Sequence, residues 1–173
     1  MPRTLIQGGT SRLGQVLAYA FKARGDETVV RGRMGPELSQ PFNYAVFCQR
    51  YRGEQFGGEF DASVDLTRRL LDGMRWGKGD CSAVIVSSDC VDRISATKNL
   101  DYLLGKAAAR YLVPWFARHG RVRINAVSPA SFTGDSVVVD MQEVVEVITF
   151  LCSPASRGIN GENIIVDRGK RWK

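Results

Sequence analysis

Tyr102 and Lys106 stand four residues apart at the end of the stretch S-S-D-C-V-D-R-I-S-A-T-K-N-L-D-Y-L-L-G-K, Ser87 to Lys106. On a helix, residues at that spacing project from one face. A phenol with its ordinary pKa of ~10 is a poor acid-base catalyst at neutral pH, whereas an ammonium held beside it favours the phenolate and lowers that value. Such a pair can give and take a proton. A bare Y-x-x-x-K occurs by chance in many proteins, so its weight rests on the elements that position it.

Those elements alternate. A short apolar strand, Arg3 to Gln7, runs into G-G-T-S-R-L-G and then an apolar-periodic helix, Leu13 to Ala23, that stops at Gly25. Strand, Gly-containing turn and helix in that order form the first half of a nucleotide-binding βαβ unit. The backbone NH groups of such a turn, with the helix N-terminus, make a site for a pyrophosphate. Glu27 to Val30 reads as a second strand ending in R-G-R. An acid at that point holds the ribose hydroxyls of NAD, whereas an arginine suits a 2′-phosphate, so Arg31, Arg33 and Arg12 point to NADPH.

A Gly/Pro-containing link, Met34 to Asn43, leads to a third strand, Tyr44 to Cys48. The following Q-R-Y-R-G-E-Q-F-G-G reads as a loop. A helix is predicted from near Asp61, whose side chain could cap it, carrying Val64, Leu66, Leu70, Leu71 and Met74 and ending by Gly77 and Gly79. The apolar run Ala83 to Val86 is a buried strand that delivers Ser87, Ser88 and Asp89 at its carboxyl end, where ligands sit in open α/β sheets. The helix bearing Tyr102 and Lys106 should run from about Leu100 to His119, with a kink at Pro114. Val122 to Val127 is the next strand, and S-P-A-S-F-T-G-D a loop. The last helix has Val144, Val147, Ile148 and Leu151 on one face, and Asn163 to Val166 closes the sheet. The 173 residues contain no repeat or interdomain linker. The prediction is one α/β domain, 1–173, with a Rossmann-like doubly wound parallel sheet of about six strands.

Composition narrows the partners. No apolar run reaches the ~18 residues of a membrane span, and the first residues, M-P-R-T-L-I-Q-G-G, lack the apolar core of a signal peptide, which predicts a soluble, cytoplasmic protein. Cys48, Cys81, Cys90 and Cys152 show no C-x-x-C spacing, and His119 is the only histidine, so no metal site is predicted. With 24 Lys+Arg against 18 Asp+Glu the net charge is +6, which favours an anionic ligand. The basic residues lie in short scattered clusters without a nucleic-acid motif.

In this order the residues resemble the short-chain dehydrogenase/reductase family over nearly the whole chain. Gly8 to Gly14 is similar to its glycine turn, and V-D-L-T from Val64 to its V-N-L-T. I-N-A-V-S-P-A from Ile124 is similar to I-N-A-V-S-P-G, and I-N-G-E from Ile159 and V-D-R-G from Val166 to the closing I-T-G-Q and V-D-G-G. Asp89, Tyr102 and Lys106 fall on the spacing of the catalytic Ser, Tyr and Lys. The resemblance implies a dimer or tetramer that binds NAD(P)(H), with Tyr102 as acid-base catalyst. Lys106 would lower the Tyr102 pKa and hold the nicotinamide ribose. It also places Gly8, Thr10, Ser11, Arg12, Leu13, Gly14, Arg31, Arg33, Cys48, Lys106, Pro129, Ala130 and Thr133 around the cofactor.

The chain departs from the family pattern at several points. Arg12 replaces the middle turn glycine and Asp89 the catalytic Ser, both as in pteridine-reductase-like members. An ionised Asp89 only accepts hydrogen bonds, so Asp89 would have to be protonated, or contact an amine or amide donor on the substrate, or leave the donor role to Ser88 one position earlier. Asp65 replaces the Asn that steadies a proton-relay water, and C-Q-R-Y from Cys48 replaces N-N-A-G, which puts a bulky cation, Arg50, where small residues usually flank the cofactor. Between Arg33 and Asn43 there is too little chain for the expected helix and strand, so one βα unit after the second strand is missing. The loop after Thr133 is also short. The resemblance, with Arg12, Arg31 and Arg33, implies an NADPH-dependent reductase of a carbonyl or imine, whose pocket these departures would leave open. The alternative is a trimmed relative without hydride transfer, either a binding or assembly partner or a non-redox acid-base enzyme.

Overall fold

The computed structural model describes residues 1–32, 38–92, 99–132 and 137–172. Six strands form one sheet: β1 (Arg3–Gln7), β2 (Glu27–Arg31), β3 (Tyr44–Phe47), β4 (Ser82–Val86), β5 (Arg123–Pro129) and β6 (Asn163–Val166). Their order is β2-β1-β3-β4-β5-β6, with every pairing parallel. Y-A-V-F and S-A-V-I-V are buried at every position, as strands covered on both faces must be.

Successive residues point to opposite faces, so each strand feeds two cores. On one face α1 (Arg12–Ala23) and α5 (Met141–Leu151) pack Leu13, Leu17, Phe21, Val144 and Ile148 against Ile6, Val46, Val84 and Val127. The other face is covered by a segment made of one α turn, α2 (Gly58–Phe60), a π-helical turn (61–65) and α3 (Leu66–Gly73), together with α4 (Leu100–His119). There Val64, Leu71, Ala109, Val113 and Phe116 meet Leu5, Ala45, Ile85 and Ile124. Two helical layers about one parallel sheet are the doubly wound arrangement predicted above.

The missing βα unit is visible in the strand order. β2 is an edge strand, and the chain passes from it to β3 on the far side of β1. The described residues of that connection hold no helix or strand, only an isolated bridge from Phe42 to Trp76. Phe42 and Leu38 pack on the α3/α4 face.

Several expectations about boundaries are corrected. The central helical segment starts at Gly58, not Asp61, because the carboxylate of Asp101 on α4 accepts the amides of Gly57 (2.8 Å) and Glu59 (3.0 Å) and so supplies the cap from another helix. It stops at Gly73, because Met74 turns extended (ψ 139°). α1 begins one residue earlier than predicted, where Ser11 Oγ accepts the Gly14 amide at 3.0 Å. α4 runs unbroken through Pro114. In the I-N-A-V-S-P run, Asn125 donates to Ile159 O (3.0 Å) and accepts from the Glu162 amide (3.0 Å), which fastens β5 to the segment entering β6. No helix of the described residues is long and apolar enough to cross a membrane. All four cysteines are buried free thiols, and among the described residues no three His, Cys, Asp or Glu side chains gather as a metal site.

Candidate active site

The carboxyl ends of β1, β3 and β4 converge on two adjoining features: a basic cleft beside the glycine turn, and a buried polar cluster around Lys106. The turn is held from below. Both Gly8 N (2.8 Å) and Gly9 N (3.0 Å) donate to Arg31 O, the last carbonyl of β2. Gly8 has φ +91°, and a Cβ there would stand 2.5 Å from the Gln49 amide nitrogen, so β1 and β3 meet at this point only because Gly8 has no side chain. With Gly14 N taken by Ser11, the amides of Arg12 and Leu13 are the helix-start donors left for an anion.

The cleft has a volume of about 1100 Å³ and is lined by Gly8, Thr10, Ser11 and Arg12 of the turn, by Gln7 and Gln49 at its floor, by 50–53, and by Asp61, Ala62, Asp65, Leu66 and Arg69. Arg12, Arg50 and Arg52 make no ion pair with the described residues, whereas Arg69 is paired with Asp65 at 2.9 Å. Gln7 (1% exposed) donates its amide to Gly32 O (2.6 Å). Gln49 (8% exposed) donates to Ala62 O (2.9 Å) and Thr67 Oγ1 (2.6 Å). Both amide oxygens, Gln7 Oε1 and Gln49 Oε1, are left without a partner among the described residues. Buried acceptors of this kind are costly unless a donor reaches them. Unpaired arginines above and unpaired acceptors below suit a ligand that brings anionic groups together with O–H or N–H donors, as a phosphorylated nucleoside does.

The second feature centres on Lys106. Its Nζ donates to Gln49 O (3.0 Å), Ser63 Oγ (3.0 Å) and Val86 O (3.3 Å), and lies 3.2 Å from Glu59 Oε1. The Lys106 and Glu59 side chains are 5% and 2% exposed. Glu59 also accepts the Ser63 hydroxyl and, on Oε2, the Tyr51 amide at 2.8 Å. Gly105 makes the room, since a Cβ on it would stand 2.6 Å from Glu59 Cγ. Burial lowers the Lys106 pKa and the Glu59 carboxylate opposes that shift. An ammonium has three protons, and four protein acceptors already share them.

Tyr102 lies beside this cluster. Ser88, at the carboxyl end of β4, acts on the Tyr102 hydroxyl and has its own Oγ 2.9 Å from Cys90 Sγ. Its ring face is covered by Arg50, whose guanidinium carbon is 4.7 Å from the ring centroid, while Lys106 Nζ is 5.9 Å away. Burial raises the Tyr102 pKa, and the Ser88 hydrogen bond and the Arg50 charge pull it down. The expectation that Lys106 lowers the Tyr102 pKa is therefore corrected: the Lys106 charge is taken up by Glu59, and the cation acting on the phenol is Arg50.

Other expected site residues fall in different places. Ser88 is among the groups acting on the Tyr102 phenol, and Asp89 opens a 3₁₀ turn (Asp89–Val91) and is half-buried. Asp65 points to the cleft, where it pairs with Arg68 and Arg69, and Ser63 and Glu59 take the place beside Lys106. Cys48 lies under the turn and donates its thiol to Gln7 O (3.4 Å), with burial pushing its pKa up to about 11. Leu13 and Gly14 are packed into the core, Pro129 and Ala130 are buried at the end of β5, and Arg31 acts through its carbonyl. Arg33 and Thr133 lie outside the described residues. Glu59, Ser63, Gln7 and Gln49 were not anticipated from sequence, whereas Arg50 is the bulky cation that C-Q-R-Y places beside the cofactor site.

Solved structures with this architecture cover nearly the whole chain. The TT0495 protein from Thermus thermophilus superposes with a TM-score of 0.84 at 16% identity, over 100% of each chain. The 3-alpha-hydroxysteroid dehydrogenase from Pseudomonas sp. B-0831 in complex with NADH gives 0.77 at 21% identity, over 97% of this chain and 96% of that one. A short-chain dehydrogenase/reductase from Brucella ovis gives 0.72 at 18% identity, over 96% and 100%. The fold is that of the short-chain dehydrogenases/reductases. No protein-family model and no curated protein matches the sequence.

Proposed function

We propose that the protein is a reductase of a carbonyl or imine that takes NADP(H), with Tyr102 as proton donor. The observation that carries this reading is the placement of Tyr102, whose ring lies 4.7 Å from the Arg50 guanidinium and 5.9 Å from Lys106 Nζ, next to a cleft that starts at the glycine turn. Tyr102 and Ser88 would both donate to the substrate oxygen or nitrogen, and Tyr102 would pass its proton to that atom. The bound cofactor would supply the hydride. Its phosphates would lie on the Arg12 and Leu13 amides, with Gln7 Oε1 and Gln49 Oε1 accepting from its hydroxyl or amine groups. Preference for NADP(H) is supported by Arg12 in the turn.

A second reading, a relative that binds a nucleotide without hydride transfer, is favoured by the saturated donors of Lys106, which leave no proton for a ribose hydroxyl. Calorimetric titration with NADPH tests the first requirement of the reductase. Binding is expected in the micromolar range, with Arg12→Ala weakening NADPH about tenfold more than NADH, as loss of one charge-assisted phosphate contact predicts. No heat and no thermal shift at millimolar NADPH would end the cofactor reading, and equal weakening of the two cofactors would end the 2′-phosphate assignment.

A homodimer or homotetramer is supported by the outer face of α4. Leu100, Leu104, Tyr111 and Trp115 are all exposed and fall on one stripe of the helix. Light scattering is expected to show an oligomer for the wild type and a monomer for Leu104→Glu/Trp115→Glu. A monomeric wild type at tens of micromolar would remove this assignment.

A further inference from the structure

If Tyr102 delivers the proton to the substrate oxygen or nitrogen, the reducing ring has to approach the carbon bonded to that atom to within about 3–3.5 Å, so space for it must open beside Tyr102. The cleft stops short of that point. Arg50 is among its lining residues, whereas Tyr102, Ser88 and Lys106 are not. The guanidinium of Arg50 lies within cation–π reach of the phenol, at 4.7 Å from the centroid. Arg50 is exposed and makes no ion pair with the described residues, so what fixes it there is the Tyr102 ring. Beneath, the ammonium of Lys106 is committed to Glu59, Ser63 and two carbonyls.

We propose that Arg50 closes the Tyr102 end of the cleft, so that the phosphoadenosine half of the cofactor meets a preformed site and the ring half enters only when Arg50 leaves Tyr102. The inference rests on the reductase reading and adds a gate to it. Arg50 acts here as a positioning residue: stacked, it covers the proton donor and raises the cost of admitting a ring. Released, it stays at the cleft rim as a cation for the phosphates.

The gate makes the nicotinamide half of the cofactor contribute little to affinity, because every gain from placing it is offset by unstacking Arg50. A stacking contact of this kind corresponds to roughly 3- to 30-fold in a binding constant. The quantity to read is the ratio of dissociation constants for 2′,5′-ADP and NADPH. Both ligands carry the phosphates that Arg50 attracts, so loss of its charge largely cancels in the ratio.

Calorimetry on the wild-type protein is expected to give 2′,5′-ADP and NADPH affinities within about threefold of each other. Arg50→Ala, and separately Tyr102→Leu, are expected to shift the ratio toward NADPH by roughly 3- to 30-fold. An NADPH affinity at least tenfold above that of 2′,5′-ADP in the wild type, with an unchanged ratio in both variants, would overturn the gate and leave the reductase reading standing. Failure of either ligand to bind any of the three proteins at millimolar concentration would overturn both.

Discussion

Tyr102→Phe is expected to lower turnover of the carbonyl or imine substrate by 10²–10⁴-fold while leaving the NADPH dissociation constant within about twofold of wild type. The first figure is the usual contribution of a positioned proton donor. The second follows because Tyr102 is not among the residues lining the cleft, and Phe keeps the ring on which Arg50 rests. The pH profile distinguishes a proton donor from a merely packed phenol. Burial raises the Tyr102 pKa above its ordinary value, with Ser88 and Arg50 acting in the opposite sense. A phenol with a raised pKa stays loaded with its proton through neutral pH, so reduction should be flat from pH 7 to about 10 and fall only above it. Arg50→Ala removes a charge that favours the phenolate, so it should move that fall to still higher pH. A Tyr102→Phe enzyme retaining more than a tenth of wild-type turnover would show that the proton comes from elsewhere.

The order of strands and helices was legible because its signals are local. Runs such as Tyr44 to Phe47 and Ala83 to Val86 are apolar throughout, and the Gly8 turn is followed by a periodic helix. The shortened connection after β2 could be counted directly, since about ten residues cannot hold a crossover helix and a strand. The helix that carries Tyr102 and Lys106 was legible over the same bounds, Leu100 to His119.

What stayed illegible depends on contacts between distant residues. Glu59 stands just after Q-R-Y-R-G-E-Q-F-G-G, a stretch that composition marks as a loop, and it enters the core only because Asp101 holds its amide (3.0 Å) and Lys106 its carboxylate (3.2 Å). One sequence signal did point to it. Gly105 sits mid-helix directly before Lys106, where glycine costs about 1 kcal/mol relative to alanine, so another chain segment was bound to approach there. Gln49 carried no comparable signal, and Arg50 was legible only as a cation in C-Q-R-Y, not as a cover for Tyr102. A single residue after a strand reveals nothing of whether its side chain turns into the floor of a cleft or over a neighbouring ring.

Glu59→Gln is expected to destabilise the protein by about 3 kcal/mol at pH 7, the lower end of the range for removing one partner of a buried ion pair. Gln keeps the volume and can still accept the Tyr51 amide, now at 2.8 Å from Glu59 Oε2. It cannot neutralise Lys106, whose Nζ lies 3.2 Å from Glu59 Oε1. Burial already holds the Lys106 pKa below its ordinary value, and Glu59 is the largest influence in the opposite direction. Without that carboxylate the ammonium should give up its proton at lower pH still. Because the folded-state value lies below the unfolded one, the unfolded chain binds more protons between the two, and stability rises with pH across that window. Urea denaturation should therefore show the loss caused by Glu59→Gln shrinking from pH 7 toward pH 10. Glu59→Gln/Lys106→Met, which removes the stranded charge together with its partner, should recover most of the loss at pH 7. A loss below 1 kcal/mol at pH 7, or one that stays constant to pH 10, would show that Lys106 does not depend on Glu59. The ammonium would then be available to a bound ribose after all.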